Sequence, residues 1–284
     1  MKKIAMALAS ALMMLTACTS EEPQKEKPTG MEAKTITFTF GDTFQTKAMT
    51  RAAITSLSLT DLWMFDYVGD ELQQTIHQSS TDDGFGSISA SMGYGSHTIY
   101  FVASRGTTPT TDTSAKTITW AKPSDTYWAT SSITVAPSSS VSQAVTLGRV
   151  ATRLQITVTD EVPANAAVFT VTPSQWYYGI DYTTGSPTAA TPNRTISVNI
   201  PASEIGVSNE IVTIFGFSAV EEWTTDIALD CQNSSGTILG QAAITGAPFK
   251  RNRITSYSGP LFSRKPTFSM TVDDSWNTDI VDTW

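Results

Sequence analysis

The first clear pattern in the chain is an alternation. Ile36, Phe38 and Phe40 are interleaved with Thr35, Thr37 and Thr39. Because a strand sends successive side chains to opposite faces, three large apolar groups share one side of a half-buried strand. The same reading applies downstream. Leu57 to Tyr67 carries the run Leu62, Trp63, Met64 and Phe65, and His97 to Ser104 places Ile99, Phe101 and Ala103 on one face. Leu154, Ile156 and Val158 alternate, as do Ile196, Val198 and Ile200, and again Phe268, Met270 and Val272. Ile211 to Phe217 is apolar enough to be a strand covered on both faces. No long stretch repeats its apolar positions at a helical period, so any helices are short.

Between these runs lie turn-rich segments, Gly106 to Ser114, Pro137 to Ser142 and Asp181 to Pro192, spaced as in an antiparallel sandwich. About 250 folded residues suggest two domains. The boundary falls near Gly148, after the Ser-rich Pro137 to Ser142 loop, which gives 35–147 and 148–284. Both halves read as antiparallel β-sandwiches, and the expected fold class is all-β.

The first residues stand apart from this scheme. Lys2 and Lys3 precede an apolar run from Ile4 to Leu15, followed by Thr16, Ala17 and Cys18. That makes 1–17 a secretion signal, too short to span a bilayer as a helix. Small residues directly before a Cys resemble a bacterial lipobox, in which Cys18 is acylated and becomes the new N-terminus. Each buried CH₂ of an acyl chain contributes about 0.8 kcal/mol, so the expected product is tethered to a membrane without spanning it. Glu21 and Glu22 resemble the surface-export signals of some Gram-negative lipoproteins, and 18–34 reads as a polar tether. With Cys18 lipidated, Cys231 has no intrachain disulfide partner and reads as a small buried side chain beside the run Trp223 to Leu229.

Composition sharpens this picture. The chain contains 45 Thr and 32 Ser in 284 residues, a bias toward strands and turns. Its 18 Lys and Arg against 26 Asp and Glu give a net charge of −8, and loss of Lys2 and Lys3 with the leader leaves −10. A nucleic-acid-binding surface needs the opposite sign. Catalytic motifs are equally scarce. His77 and His97 are the only histidines and lack HExxH spacing, and neither a G-x-S-x-G elbow nor a P-loop is present. The doublets Asp82–Asp83 and Asp273–Asp274 do not make a glycosidase pair, because neighbours on a strand point to opposite faces. Nor do Asp82, Asp83 and Gly84 supply enough oxygen ligands for a calcium loop. No catalytic residue, metal or cofactor is expected. Trp176, Tyr177, Tyr178 and Tyr182 could form a platform on which sugar rings stack, but cross-strand aromatic packing inside the second sandwich is the expectation.

Several segments together resemble the fimbrillin family, the subunits of type V pili and their fimbrillin-like relatives. They are the lipobox at Cys18, the strand Thr35 to Phe40 followed by Met49, Thr50, Arg51 and Ala52, and the stretch Leu59 to Tyr67. Further on come Leu147 to Val158 (LGRVATRLQITV), Phe249 to Phe262 (FKRNRITSYSGPLF) and Phe268 to Trp276 (FSMTVDDSW). The resemblance implies a lipoprotein precursor with two tandem transthyretin-like β-sandwich domains, exported to the outer-membrane surface and cut by an Arg-specific protease. It also implies that the cut removes the first strand of the N-terminal domain, and that an extended C-terminal segment of a neighbouring subunit fills the vacated groove. On this chain the cut falls between Arg51 and Ala52. The displaced strand is that of Ile36, Phe38 and Phe40, and the donor is the tail with Ile280, Val281 and Trp284. The partners so implied are other fimbrial subunits or copies of this chain, the protease, and the outer membrane through the lipid. An anchor or tip subunit, or a surface glycan-binding lipoprotein, is the alternative.

The residues agree with this implication physically. Arg51 lies in a polar stretch between two strand signals, and exposed loop backbone is where proteases reach. Loss of three large apolar side chains with their backbone would open a groove that invites a replacement strand.

Overall fold

The computed structural model describes residues 32–42, 58–263 and 268–273. Cys18, Arg51, Ala52, Asp274, Ile280, Val281 and Trp284 lie outside the described residues. The chain is all-β. It begins with β1 (Ala33–Asp42), β2 (Asp61–Val68), β3 (Glu71–Ser79), β4 (Ser87–Gly93) and β5 (Gly95–Ser104). Two short strands, β6 (Thr110–Asp112) and β7 (Thr117–Thr119), lead to β8 (Thr126–Val135) and β9 (Ser142–Arg149). Then follow β10 (Ala151–Val158), β11 (Ala166–Pro173), β12 (Trp176–Asp181), β13 (Ser186–Thr191) and β14 (Ile196–Asn199). A 3-10 turn, Ala202–Glu204, precedes β15 (Glu210–Phe217), β16 (Trp223–Asn233), β17 (Ile238–Phe249), β18 (Ile254–Gly259) and β19 (Ser269–Asp273).

The first core lies between strands β3-β2-β5-β8 and strands β9-β1-β4. The two layers join where Tyr127 and Trp128 of β8 pair with Arg149 and Gly148 of β9. Strand alternation fills the space between them. Ile36, Phe38 and Phe40 of β1 meet Leu62 and Met64 of β2, Ile88 and Met92 of β4, and Ile99 and Phe101 of β5. Each such side chain contributes about 1.5–3 kcal/mol on full burial. A second core lies between the sheets β15-β10-β18-β19 and β14-β11-β16-β17. It is filled by Leu154, Ile156 and Val158 of β10, Phe169 and Val171 of β11, and Ile227, Leu229 and Cys231 of β16.

A fourth sheet, β13-β12-β7-β6, has no counterpart in the sequence reading. Its outer strands β6 and β13 fall inside Gly106 to Ser114 and Asp181 to Pro192, segments that read as turns because Thr, Ala and Pro give them no apolar alternation. β7 pairs with β12 through Thr117↔Asp181, Ile118↔Ile180 and Thr119↔Gly179, so this ladder runs between residues on either side of Gly148. Gly179 is needed there, since a Cβ would lie 2.8 Å from both the Ile118 carbonyl and Thr119 Oγ1. Beneath the sheet, Phe65, Tyr67, Val102, Ile118, Trp120, Val150, Ile180, Tyr182 and Phe217 form a third apolar core. The Phe65 and Tyr182 rings stack at 3.8 Å and the Tyr67 and Tyr182 hydroxyls share a 2.7 Å hydrogen bond.

Two strand expectations need correction. Ile211 to Phe217 is covered on both faces only toward its end: Val212 and Ile214 face the second core and Phe217 lies in a third, but Ile211 is 41% exposed. In the Phe268, Met270 and Val272 alternation, Phe268 packs against the second core, whereas Met270 sits on the edge strand β19 and is 51% exposed. An edge strand has a neighbour on one side only, so its apolar positions need not be covered.

Candidate functional site

The strand singled out in the sequence, β1, sits between two others. It runs antiparallel to β4, from Ala33↔Gly93 to Thr39↔Ser87, and parallel to β9, from Thr37↔Ser142 to Asp42↔Leu147. Among the described residues β4 pairs with no strand but β1. Removing β1 would therefore leave two rows of backbone donors and acceptors unpaired and strip β4 of its sheet. On the inward face, the Phe38 ring lies 5.3 Å from that of Phe101, and Phe40 meets the same ring edge-on at 5.0 Å. Ile36, Phe38 and Phe40 are each fully buried. The outward face is polar, with Thr37 Oγ1 2.9 Å from Ser89 Oγ, and at the start of the strand Lys34 Nζ donates to the Pro137 and Ser139 carbonyls. The Pro137–Ser142 loop is thus fastened to the start of β1, and Thr37 N donates to Val141 O at 2.8 Å.

The motifs at Leu147–Val158 and Phe249–Phe262 hold the strands around this frame. Arg149 Nε donates to Asp125 Oδ1 at 2.7 Å and its NH2 to Asp125 Oδ2 at 3.1 Å, both residues being buried. The guanidinium also lies over the Tyr127 ring, 4.9 Å from its centroid. Arg153 N donates to Arg253 O, Asn252 N to Ala151 O, and Arg253 pairs with Glu222. These contacts tie neighbouring strands together.

Other candidate residues are placed as follows. His77 Nε2 lies 2.8 Å from Asp61 Oδ1 with its ring stacked 3.9 Å from that of Trp63. His97 is buried, with Nδ1 2.7 Å from Asp66 Oδ1 and Nε2 2.8 Å from Gly93 O. The two imidazoles thus serve separate carboxylates. No group of three or more His, Cys, Asp and Glu among the described residues could hold a metal ion. Asp82 and Asp83 are exposed, and Asp82 Oδ2 accepts from Ser79 N in the turn after β3; Asp273 is exposed too. Cys231 lies in the second core, where burial pushes its thiol up to about 11. Trp176, Tyr178 and Tyr182 are buried and Tyr177 is half-buried. They do not form an exposed platform. Trp176 packs edge-on against Phe249 at 4.9 Å, and Tyr177 against Trp223 at 5.3 Å.

Residues 110–284 match a family of unknown function, DUF6562. The chain belongs to that family. No curated protein matches the sequence of this DUF6562 chain. Its fold is shared with solved structures. A candidate adhesin from Bacteroides thetaiotaomicron superposes with a TM-score of 0.52 at 8% identity, covering 86% of this chain and 97% of its own. Candidate polysaccharide-binding proteins (DUF1812) from the same organism give 0.51 at 6% identity, covering 84% and 96%. A candidate cell adhesion protein from Bacteroides ovatus gives 0.50 at 15% identity, covering 86% and 98%. At these identities the likeness of the DUF6562 chain to them is one of fold.

Proposed function

We propose that the chain is a structural subunit of a cell-surface fimbria, a type V pilus, that supports adhesion. In this reading it is made as an outer-membrane lipoprotein on Cys18, cut between Arg51 and Ala52 by an Arg-specific protease, and polymerised by donor-strand exchange with copies of itself or other fimbrial subunits. The residues 35–147 and 148–284 are its two tandem transthyretin-like domains, and 1–34 are leader and tether. The observation that carries the reading is the setting of β1, an inner strand with three buried apolar side chains and, among the described residues, the sole strand partner of β4. Arg51 follows β1 in sequence and precedes β2, so one cut there separates this strand from everything after it. The shared fold with candidate adhesion proteins supports a role at the cell surface.

The donor is the tail of the next subunit. Ile280 and Trp284 stand at even spacing and project to one side of an extended segment, and Val281 extends the apolar stretch. Such a tail entering between β4 and β9 restores both ladders and refills the pockets of Ile36, Phe38 and Phe40. Protein stripped from the cell surface should begin at Ala52 and run as a ladder of multimers, and Arg51→Ala should leave an uncut monomer whose slot stays filled. Normal polymers from uncut Arg51→Ala subunits would overturn the reading.

A further inference from the structure

Apart from the β1 slot, the molecule has a cavity of about 190 Å³ built by the segment after β7, by β12, by the approach to β14 and by β15. Drug-sized ligands occupy roughly 300–1,000 Å³, so this space suits one small ring. Tyr178 lines it, is 2% exposed, and its hydroxyl is buried with no hydrogen-bond partner. An unpaired buried hydroxyl costs stability, and native proteins seldom keep one without use. Arg194 lies over the Tyr178 ring, its Cζ 4.1 Å from the centroid, and spends one NH2 bond at 2.8 Å on Ala121 O. Lys122 is a second cation in the lining, which contains no carboxylate although the chain as a whole is acidic. Thr195, Ser197 and Thr213 also line it, and Thr195 Oγ1 lies 2.9 Å from Thr172 Oγ1.

We propose that this cavity binds one acidic sugar residue, a monosaccharide bearing a carboxylate. Arg194 and Lys122, both exposed, line it together with Tyr178, whose buried hydroxyl has no partner, and a carboxylate can accept from all three through its two oxygens. Arg194 supplies the planar guanidinium donors, Lys122 a point charge, and the Tyr178 hydroxyl the buried donor. Ser197 and Thr213 are the lining residues left to meet the ring hydroxyls. A neutral sugar would normally be held by stacking on an aromatic face, but Arg194 already covers Tyr178, so recognition here is polar. The site uses no residue of β1, β4 or β9 and does not rest on strand exchange.

The test uses the uncut chain, before any polymerisation, so that its failure leaves the strand-exchange reading untouched. Sodium glucuronate, N-acetylneuraminate, glucose and acetate are titrated and followed by calorimetry and ligand-observed NMR. One of the two acidic sugars should bind saturably with one site, with glucose and acetate at least about tenfold weaker. Arg194→Gln and Lys122→Gln should each lower affinity about tenfold, the size expected for a lost charge-assisted hydrogen bond. Tyr178→Phe separates binding from folding: it removes only an atom with no protein partner, so affinity should fall while Tm holds or rises. The proposal is overturned if neither acid binds, if acetate binds as well as the sugars, or if Tyr178→Phe and Arg194→Gln bind like the parent chain.

Discussion

Arg149 and Asp125 are both nearly removed from water, and their two hydrogen bonds compensate for that burial. Arg149→Met leaves Asp125 facing the more distant Arg105 at 3.9 Å and the Tyr127 hydroxyl. It should cost about 3–5 kcal/mol in urea unfolding, and adding Asp125→Leu should recover much of the loss. Glu210, at the start of β15, behaves differently. Burial first, and then the neighbouring Glu204 carboxyl, push it up to about 7 from 4.5. The folded chain therefore holds this proton more tightly than the unfolded chain, so stability falls as pH rises from about 4.5 to about 7. Urea midpoints across that window should show the decline, and Glu210→Gln should flatten it. The Cys231 thiol, raised by its apolar surroundings, should react with a disulfide reagent only after denaturation.

At the scale of elements, β1 yields the sharpest expectation. Cutting the chain at Arg51 breaks one peptide bond but none of the pairing with β4 and β9. The excised strand should stay bound through size-exclusion chromatography and leave only in denaturant or when a competing strand enters. Its early release on cleavage would show that pairing and burial do not retain it. Forced removal should raise amide exchange across Ser87–Gly93, since β4 has no other sheet neighbour among the described residues. Phe38→Ala should weaken retention, with about 3–5 kcal/mol lost from the folded chain. This strand was legible in the sequence because its threonines and large apolar residues alternate without interruption. β3 was not, since Glu71, Gln73, Gln74 and Gln78 make it a polar edge strand with little to bury. β6 and β13 were hidden in the same way. The cavity was not legible: Tyr178 stood out as a residue of cross-strand aromatic packing, and only the fold brings Arg194 over its ring.

At the scale of the whole molecule, the β13-β12-β7-β6 sheet and the core beneath it connect residues before and after Gly148. Elements that share a ladder and a core lose both when either melts, so calorimetry should show one unfolding transition for 33–273. Gly179→Ala pushes a methyl into the Ile118 carbonyl and Thr119 Oγ1, which must part β7 from β12. It should lower Tm and broaden or split that transition. The geometry of the β1 slot also has a mechanical meaning. A segment hydrogen-bonded along both edges and pulled along its own length loads its bonds together in shear, whereas one peeled from an end breaks them in succession. Any strand lying where β1 lies, between β4 and β9, is held in the first manner against tension along its axis. A fibre joined this way resists drag at its joints while remaining open to exchange by a rival strand that advances from one end.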